Sequence, residues 1–141
     1  METLPIQNAI KLITFQVLKV DFKLDPSCLQ AKENLEMPQY LKNININLGF
    51  AIGYNDQKPH NYSVNFDLKI TESTNYLYLD IKCIAVFETK DPITDEFKES
   101  GFIKTNSPAI AFPFLRSFAN TLTSNAGINP IILPAFNFSP K

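Results

Sequence analysis

The chain has 141 residues, a hydrophobic content of 45% and a net charge of −1, which point to one domain over residues 1–141 and exclude an electrostatic case for nucleic acid, since that draws a basic patch. No apolar run approaches the roughly 20 residues that cross a bilayer, and the start Met1-Glu2-Thr3-Leu4-Pro5 lacks the basic residues and apolar stretch of a signal peptide, so the expected location is the cytoplasm. The 12 Phe and 5 Tyr, with no Trp, are more rings than one thin core hides, and some are expected to face a partner subunit or a groove.

The first predicted strand covers about residues 9–24. Ile10 and Leu12 alternate with polar neighbours, Phe15 and Val17 shift the phase, and Leu18, Val20, Phe22 and Leu24 shift it back. A bulge near residues 15–18 re-aims side chains in this way; the alternative is a strand covered on both faces. Asp25-Pro26-Ser27 ends the strand, because proline cannot continue the ladder. The connection over residues 28–41 carries Leu29, Leu35, Met37, Tyr40 and Leu41, more apolar residues than a surface loop needs. A second strand over 43–54 sets Ile44, Ile46, Leu48, Phe50, Ile52 and Tyr54 on one face in strict alternation. Residues 55–61 are a turn by composition. A third strand over 62–71 repeats the pattern with Tyr62, Val64, Phe66, Leu68 and Ile70. After a second turn, the fourth strand, about 76–88, places Leu77, Leu79, Ile81, Cys83, Ala85 and Phe87 on one face; Tyr76, Tyr78, Ile84 and Val86 make the other face partly apolar. Short turns make strands two to four an antiparallel meander.

Residues 88–99 are rich in charge and read as solvated surface, while Phe97, Phe102 and Ile103 require a short packed element. Pro113 fits the first turn of a helix, where its missing N–H costs nothing, so the predicted helix runs over 113–125 with Gly127 as its stop. Leu115, Phe118, Ala119 and Leu122 share one stripe that Phe114 widens. Such a stripe faces the chain's own sheet, a second subunit, or both. Beyond Gly127 the chain is extended and proline-punctuated. The predicted fold class is α+β: a four-stranded antiparallel sheet with a long crossover after the first strand, packed by a C-terminal helix.

Reactive chemistry is hard to find. His60 lies in a turn beside Pro59, with no nucleophile arrangement legible around it. Cys28 and Cys83 sit in different elements and form no CxxC pair, which argues against a zinc site and reads as two free thiols in a reducing cytosol, with a disulfide between them as the alternative. Four glycines build no phosphate-cradling loop. Asp95 and Glu96 are adjacent carboxylates in a charged loop and read as solvated. No catalytic residue, metal or cofactor is expected, so function is expected from apolar surface.

Two pieces of the last third stand together: the Pro-x-x-x-Phe-Pro-Phe-x-Arg pattern over Pro108, Phe112, Pro113, Phe114 and Arg116, and the ending Leu133-Pro134-Ala135-Phe136-Asn137-Phe138. Together they resemble the C-terminal signature of the SecB family of export chaperones, and the strand order and long crossover agree. The resemblance implies a sheet packed by helices, assembled as a homotetramer (a dimer of dimers). It implies ATP-independent holding of unfolded or extended polypeptide clients in apolar grooves, with delivery to the translocation ATPase, no nucleotide and no insertion into the membrane. Carried onto this chain, it implies groove positions at Leu29, Leu35, Met37, Tyr40, Leu41, Phe114, Phe118, Leu122, Phe136 and Phe138. It implies a subunit interface at Leu115, Phe118, Ala119 and Leu122. The sequence stops at Lys141, without the lid helix and polar tail of typical members, and residues 20–26 are mixed in charge where members carry acidic positions. These departures weaken the expected link to the export motor and keep an antitoxin open as the client. The rival readings are a small apolar-ligand carrier and a structural or adaptor oligomer.

Overall fold

The alternating apolar residues of four strands line up across the sheet into continuous rows. In the computed structural model, which describes residues 9–26, 43–72 and 76–139, the strands are β1 (Ile10–Leu24), β2 (Ile44–Tyr54), β3 (Asn61–Glu72) and β4 (Leu77–Thr89). All pairings are antiparallel and the order is β1-β4-β3-β2. Short turns dictate the β2–β3–β4 meander, and the long connection after β1 lets β1 pair with the far side of β4. One row reads Val17, Cys83, Phe66, Phe50; the next reads Val20, Ile81, Leu68, Leu48. On the central strands these residues are fully buried, whereas on β1 and β2 they are half-buried or exposed. The α+β architecture is the one that the sequence pattern predicts.

The phase shifts of β1 are β-bulges. Its pairing with β4 slips between Leu12 and Thr14 and again between Val17 and Lys19, leaving Ile13 and Leu18 as the extra residues. Both are exposed. The expected bulge near residues 15–18 is the one at Leu18; the bulge at Ile13 is additional. Together they keep Leu12, Phe15, Val17, Val20 and Phe22 on the core face.

After β4 comes a single-turn helix, α1 (Asp95–Lys98), capped by Thr94, whose Oγ1 accepts from the Phe97 N–H at 3.1 Å. A π-helical turn (Phe102–Asn106) then leads directly into α2 (Ser107–Asn125). The predicted helix start is therefore corrected. Pro108 occupies the first turn, and Pro113 lies inside the helix. An interior proline removes the N–H that would bond the carbonyl four residues earlier. Here that residue is Ala109, and both Ala109 and Pro113 are exposed, so water can satisfy the orphaned carbonyl. The helix start is pinned from the side: Tyr62 Oη donates to Ser107 Oγ, which donates to the Phe102 carbonyl at 2.8 Å.

Gly127, at φ +87°, ends α2. Ile128 N–H bonds the Thr123 carbonyl and Gly127 N–H the Ser124 carbonyl, the paired bonds of a Schellman stop, with Ile128 buried after it. Thr123 is itself fully buried; its hydroxyl donates to the Ala119 carbonyl at 2.8 Å and accepts from Ile131 N–H at 2.9 Å. The helix is thereby tied to the segment that follows. Ile128, Ile131 and Leu133 then enter the core beside Leu115 and Ala119.

Candidate functional site

The buried stripe of α2 runs through Ala111, Leu115, Ala119 and Thr123, and its two flanks meet different parts of the sheet. On one flank Phe114, half exposed, stacks on Phe15 of β1 with centroids 5.7 Å apart. Ile110, one turn earlier, is also exposed. On the other flank Phe112 packs toward Phe66 of β3 at 6.5 Å and carries the Arg116 guanidinium 5.0 Å above its ring.

The second flank holds the denser aromatic cluster. Phe136 lies edge-on to Phe112 at 5.2 Å, and Phe138 touches both Phe112 at 5.8 Å and Phe50 at 5.5 Å. Phe50 also contacts Phe66 at 6.3 Å and remains 41% exposed. Its neighbours along β2, including Ile46, Leu48 and Ile52, are only partly covered. The result is an apolar shelf along an edge strand, bordered by the C-terminal segment. β2 exists there because six apolar residues alternate, and the shelf exists because α2 lies over β1 and the central strands rather than over β2.

The segment at the border is held unevenly. Residues 128, 131 and 133 are buried, but from Pro134 onward only Phe136 and Phe138 turn inward, while Ala135, Asn137 and Ser139 face solvent. Arg116 Nη2 donates to the Pro134 carbonyl at 3.3 Å. Arg116 Nε is buried without a hydrogen-bond partner among the described residues. Half burying one ring contributes about 2–3 kcal/mol gross, and fixing one residue's backbone costs about 1–2 kcal/mol. Two rings and one hydrogen bond therefore hold this segment only marginally.

At the far end of β2, burial and the nearby Glu99 carboxylate raise the Tyr54 pKa, and Lys98 Nζ sits 4.6 Å over its ring. Beneath it, burial pushes the Tyr62 hydroxyl up to about 12 despite its bond to Ser107. Burial likewise pushes the Cys83 thiol up to about 12, which keeps it a protonated packing group. On the opposite face of the sheet, Lys82 Nζ bonds Asp67 at 3.1 Å, lowering the carboxyl pKa and raising that of the amine.

Two other concavities carry little chemistry. A cleft of about 480 Å³ lies at the end of β4, lined by Thr89, Lys90, Asp91, Thr94 and Phe97 among others. A shallow groove of about 430 Å³ crosses the outer face beside Leu18, Ala51, Asn65 and Lys82. No group of three or more His, Cys, Asp and Glu among the described residues could hold a metal ion.

The structure divides the residues expected to line a groove. Phe136 and Phe138 come together on Phe112, whereas Phe114 lies on the opposite flank against β1. Phe118 and Leu122 are half-buried against the core. Leu115 and Ala119, expected at a subunit interface, are fully covered by their own chain and have no free surface for a neighbour, because they centre the stripe that faces the sheet. Leu29, Leu35, Met37, Tyr40 and Leu41 lie outside the described residues. Phe112 belongs to the sequence signature, and Phe50 and Phe66 to the apolar strand faces, but the sequence pattern gives none of them a groove role. Placing the helix start at Pro113 left Phe112 before the helix, and the β2–β3 register alone brings Phe50 opposite Phe66.

Comparison with known proteins agrees with this architecture. The family described as "Preprotein translocase subunit SecB" matches residues 18–140. An uncharacterized protein of Methanocaldococcus jannaschii is 28% identical over 139 residues, 94% of this chain and 82% of that protein. Among solved structures, the Mycobacterium tuberculosis SecB-like chaperone Rv1957, in complex with a ChAD peptide from the Rv1956 HigA1 antitoxin, superposes with a TM-score of 0.67 at 12% identity. The alignment covers 94% of this chain and 91% of that one.

Proposed function

The chain belongs to the SecB family, and from that membership we propose that it is a chaperone that holds extended or unfolded polypeptide segments on the β2 shelf without nucleotide. The observation that carries this reading is an aromatic cluster at a sheet edge, in which Phe50, Phe136 and Phe138 are partly exposed around the buried Phe112. A holdase must accept many sequences, and apolar burial suits that task because it is non-directional. Among the described residues β2 pairs on one side only, and its outer edge adds backbone groups with which an extended client can pair, independently of its side chains. Each contact is weak once the ordering of the client is counted, so binding is reversible and several sites in one assembly supply avidity.

The exposed flank of α2, with Ile110 and Phe114 beside Phe15, supports assembly of further copies as a dimer of dimers. Two client classes have support. The family description favours preproteins handed to a translocation ATPase. The antitoxin peptide bound by the M. tuberculosis protein favours a segment of one dedicated partner. The test is to dilute a denatured model client into buffer with and without the purified protein and follow light scattering. Suppression at near-stoichiometric amounts is expected. Undiminished scattering counts against general holding.

A further inference from the structure

We propose that Phe136 and Phe138 are displaceable occupants of the β2 shelf rather than fixed parts of its wall. In this view the segment after Leu133 is an internal stand-in for an incoming extended chain with two aromatic residues two positions apart. The inference rests on the chaperone reading above and names the partner chemistry of that same site.

Three observations carry it. The segment has the side-chain alternation of a docked extended peptide: Phe136 and Phe138 turn inward, and Ala135, Asn137 and Ser139 turn out. Successive inward residues of an extended chain are spaced to place two rings on one surface, and both rings contact the same Phe112. The segment is also poorly tethered. Upstream it is locked by the Thr123 hydroxyl on Ile131 N–H and by burial of Ile131 and Leu133. Beyond Pro134 it makes no backbone–backbone hydrogen bond to the described residues, and the bond that Arg116 makes to the Pro134 carbonyl is at its hinge rather than at its rings. Few buried contacts and solvent-exposed backbone mark a segment that opens locally. Finally, the surface beneath survives its departure. Phe112 is supported by Phe66 and by the Arg116 guanidinium, and Phe50 by Phe66, all on the sheet or on α2. Lifting the strap uncovers a formed aromatic site.

A strap that closes the site most of the time weakens client binding in proportion to the open fraction. Emptying the site should reverse that. The probe is a synthetic peptide with the sequence of residues 131–139. It should bind the Phe136→Ala/Phe138→Ala variant about tenfold more tightly than the unaltered protein, as for a strap open about one-tenth of the time. Equal or weaker binding by the variant, or no binding to either protein, overturns the proposal. A second variant guards against loss of folding. The chain has no Trp, so Phe138→Trp introduces a lone fluorophore at the strap. A displaced occupant moves into water, and its emission shifts to the red as peptide is added. A wall residue becomes covered, and a blue shift overturns the proposal. If peptide results are positive while the protein fails to suppress aggregation, the strap stands and the holdase reading falls. If aggregation is suppressed while the variant binds peptide no better, the strap falls and the holdase reading stands.

Discussion

Tyr62 links the sheet to the helix through one hydroxyl, and its burial makes that link sensitive to alkali. Its ring stacks on Phe87 at 5.2 Å, and its hydroxyl donates to Ser107 Oγ. Tyr62→Phe keeps the stacking and removes the bond, so a loss of about 1–2 kcal/mol is expected in urea unfolding. The folded-state pKa near 12 lies above the ordinary value of 10.0. Between those values the native state holds a proton that the unfolded chain releases. The stabilisation is therefore full below pH 10 and is lost as pH rises toward 12. Cys83 acts in the same direction from 9.0 upward. The midpoint of denaturation should fall steeply across this alkaline range, and Tyr62→Phe should flatten the part above pH 10. An unchanged slope in the variant would assign the alkaline loss to other groups. Leu115, at the centre of the helix stripe and fully buried, gives the simplest packing test. Leu115→Ala should cost about 2–5 kcal/mol, and a near-neutral result would mean that the stripe is not where α2 meets the sheet.

Among the elements, α2 shows both what its sequence reveals and what it conceals. The stop at Gly127 is legible because a glycine there can adopt positive φ. The start was not legible, since two prolines compete for the first-turn position and only tertiary contacts to Ser107 decide between them. A start at Pro113 leaves Phe112, a residue of the signature, off the helix, and so gives no sign that it centres the candidate site. The strands are more legible because strict alternation on β2, β3 and β4 leaves one register that buries a whole face. The second bulge on β1 had no separate signal, as Ile13 looks like one more apolar strand residue. Replacing Pro113 restores a backbone donor to Ala109, so Pro113→Ala should stabilise the protein by up to about 3 kcal/mol, read as a higher urea midpoint. Thr123→Val removes the tether to Ile131 N–H. It should cost about 1–3 kcal/mol and speed proteolysis after residue 128, and equal digestion rates would show that the tether is redundant.

For the whole molecule, the sheet has one face packed by α2 and two edges with different character. β1 carries Lys11, Lys19 and Lys23 together with its bulges, features that discourage indiscriminate edge pairing. β2 carries no lysine between Ile44 and Tyr54, so of these two strands it is the less defended and the one on which the proposed client binding rests. The exposed α2 flank is a separate surface, so the proposed assembly is testable without touching the shelf. Phe114→Asp should shift sedimentation toward smaller species while leaving peptide binding at Phe112 intact. A sedimentation profile identical to that of the unaltered protein would remove this flank from the assembly.

The two bulges of β1 bear on which deletions the chain can absorb. Fifteen residues of β1 lie against thirteen of β4, and the surplus is Ile13 and Leu18. Removing either one straightens the ladder and leaves every neighbour on its own face. Removing any paired residue between them, Phe15 for instance, turns part of the strand inside out. Loss of a single codon is thus tolerable at two sites in this strand and ruinous beside them, so length variation among relatives should gather at positions 13 and 18.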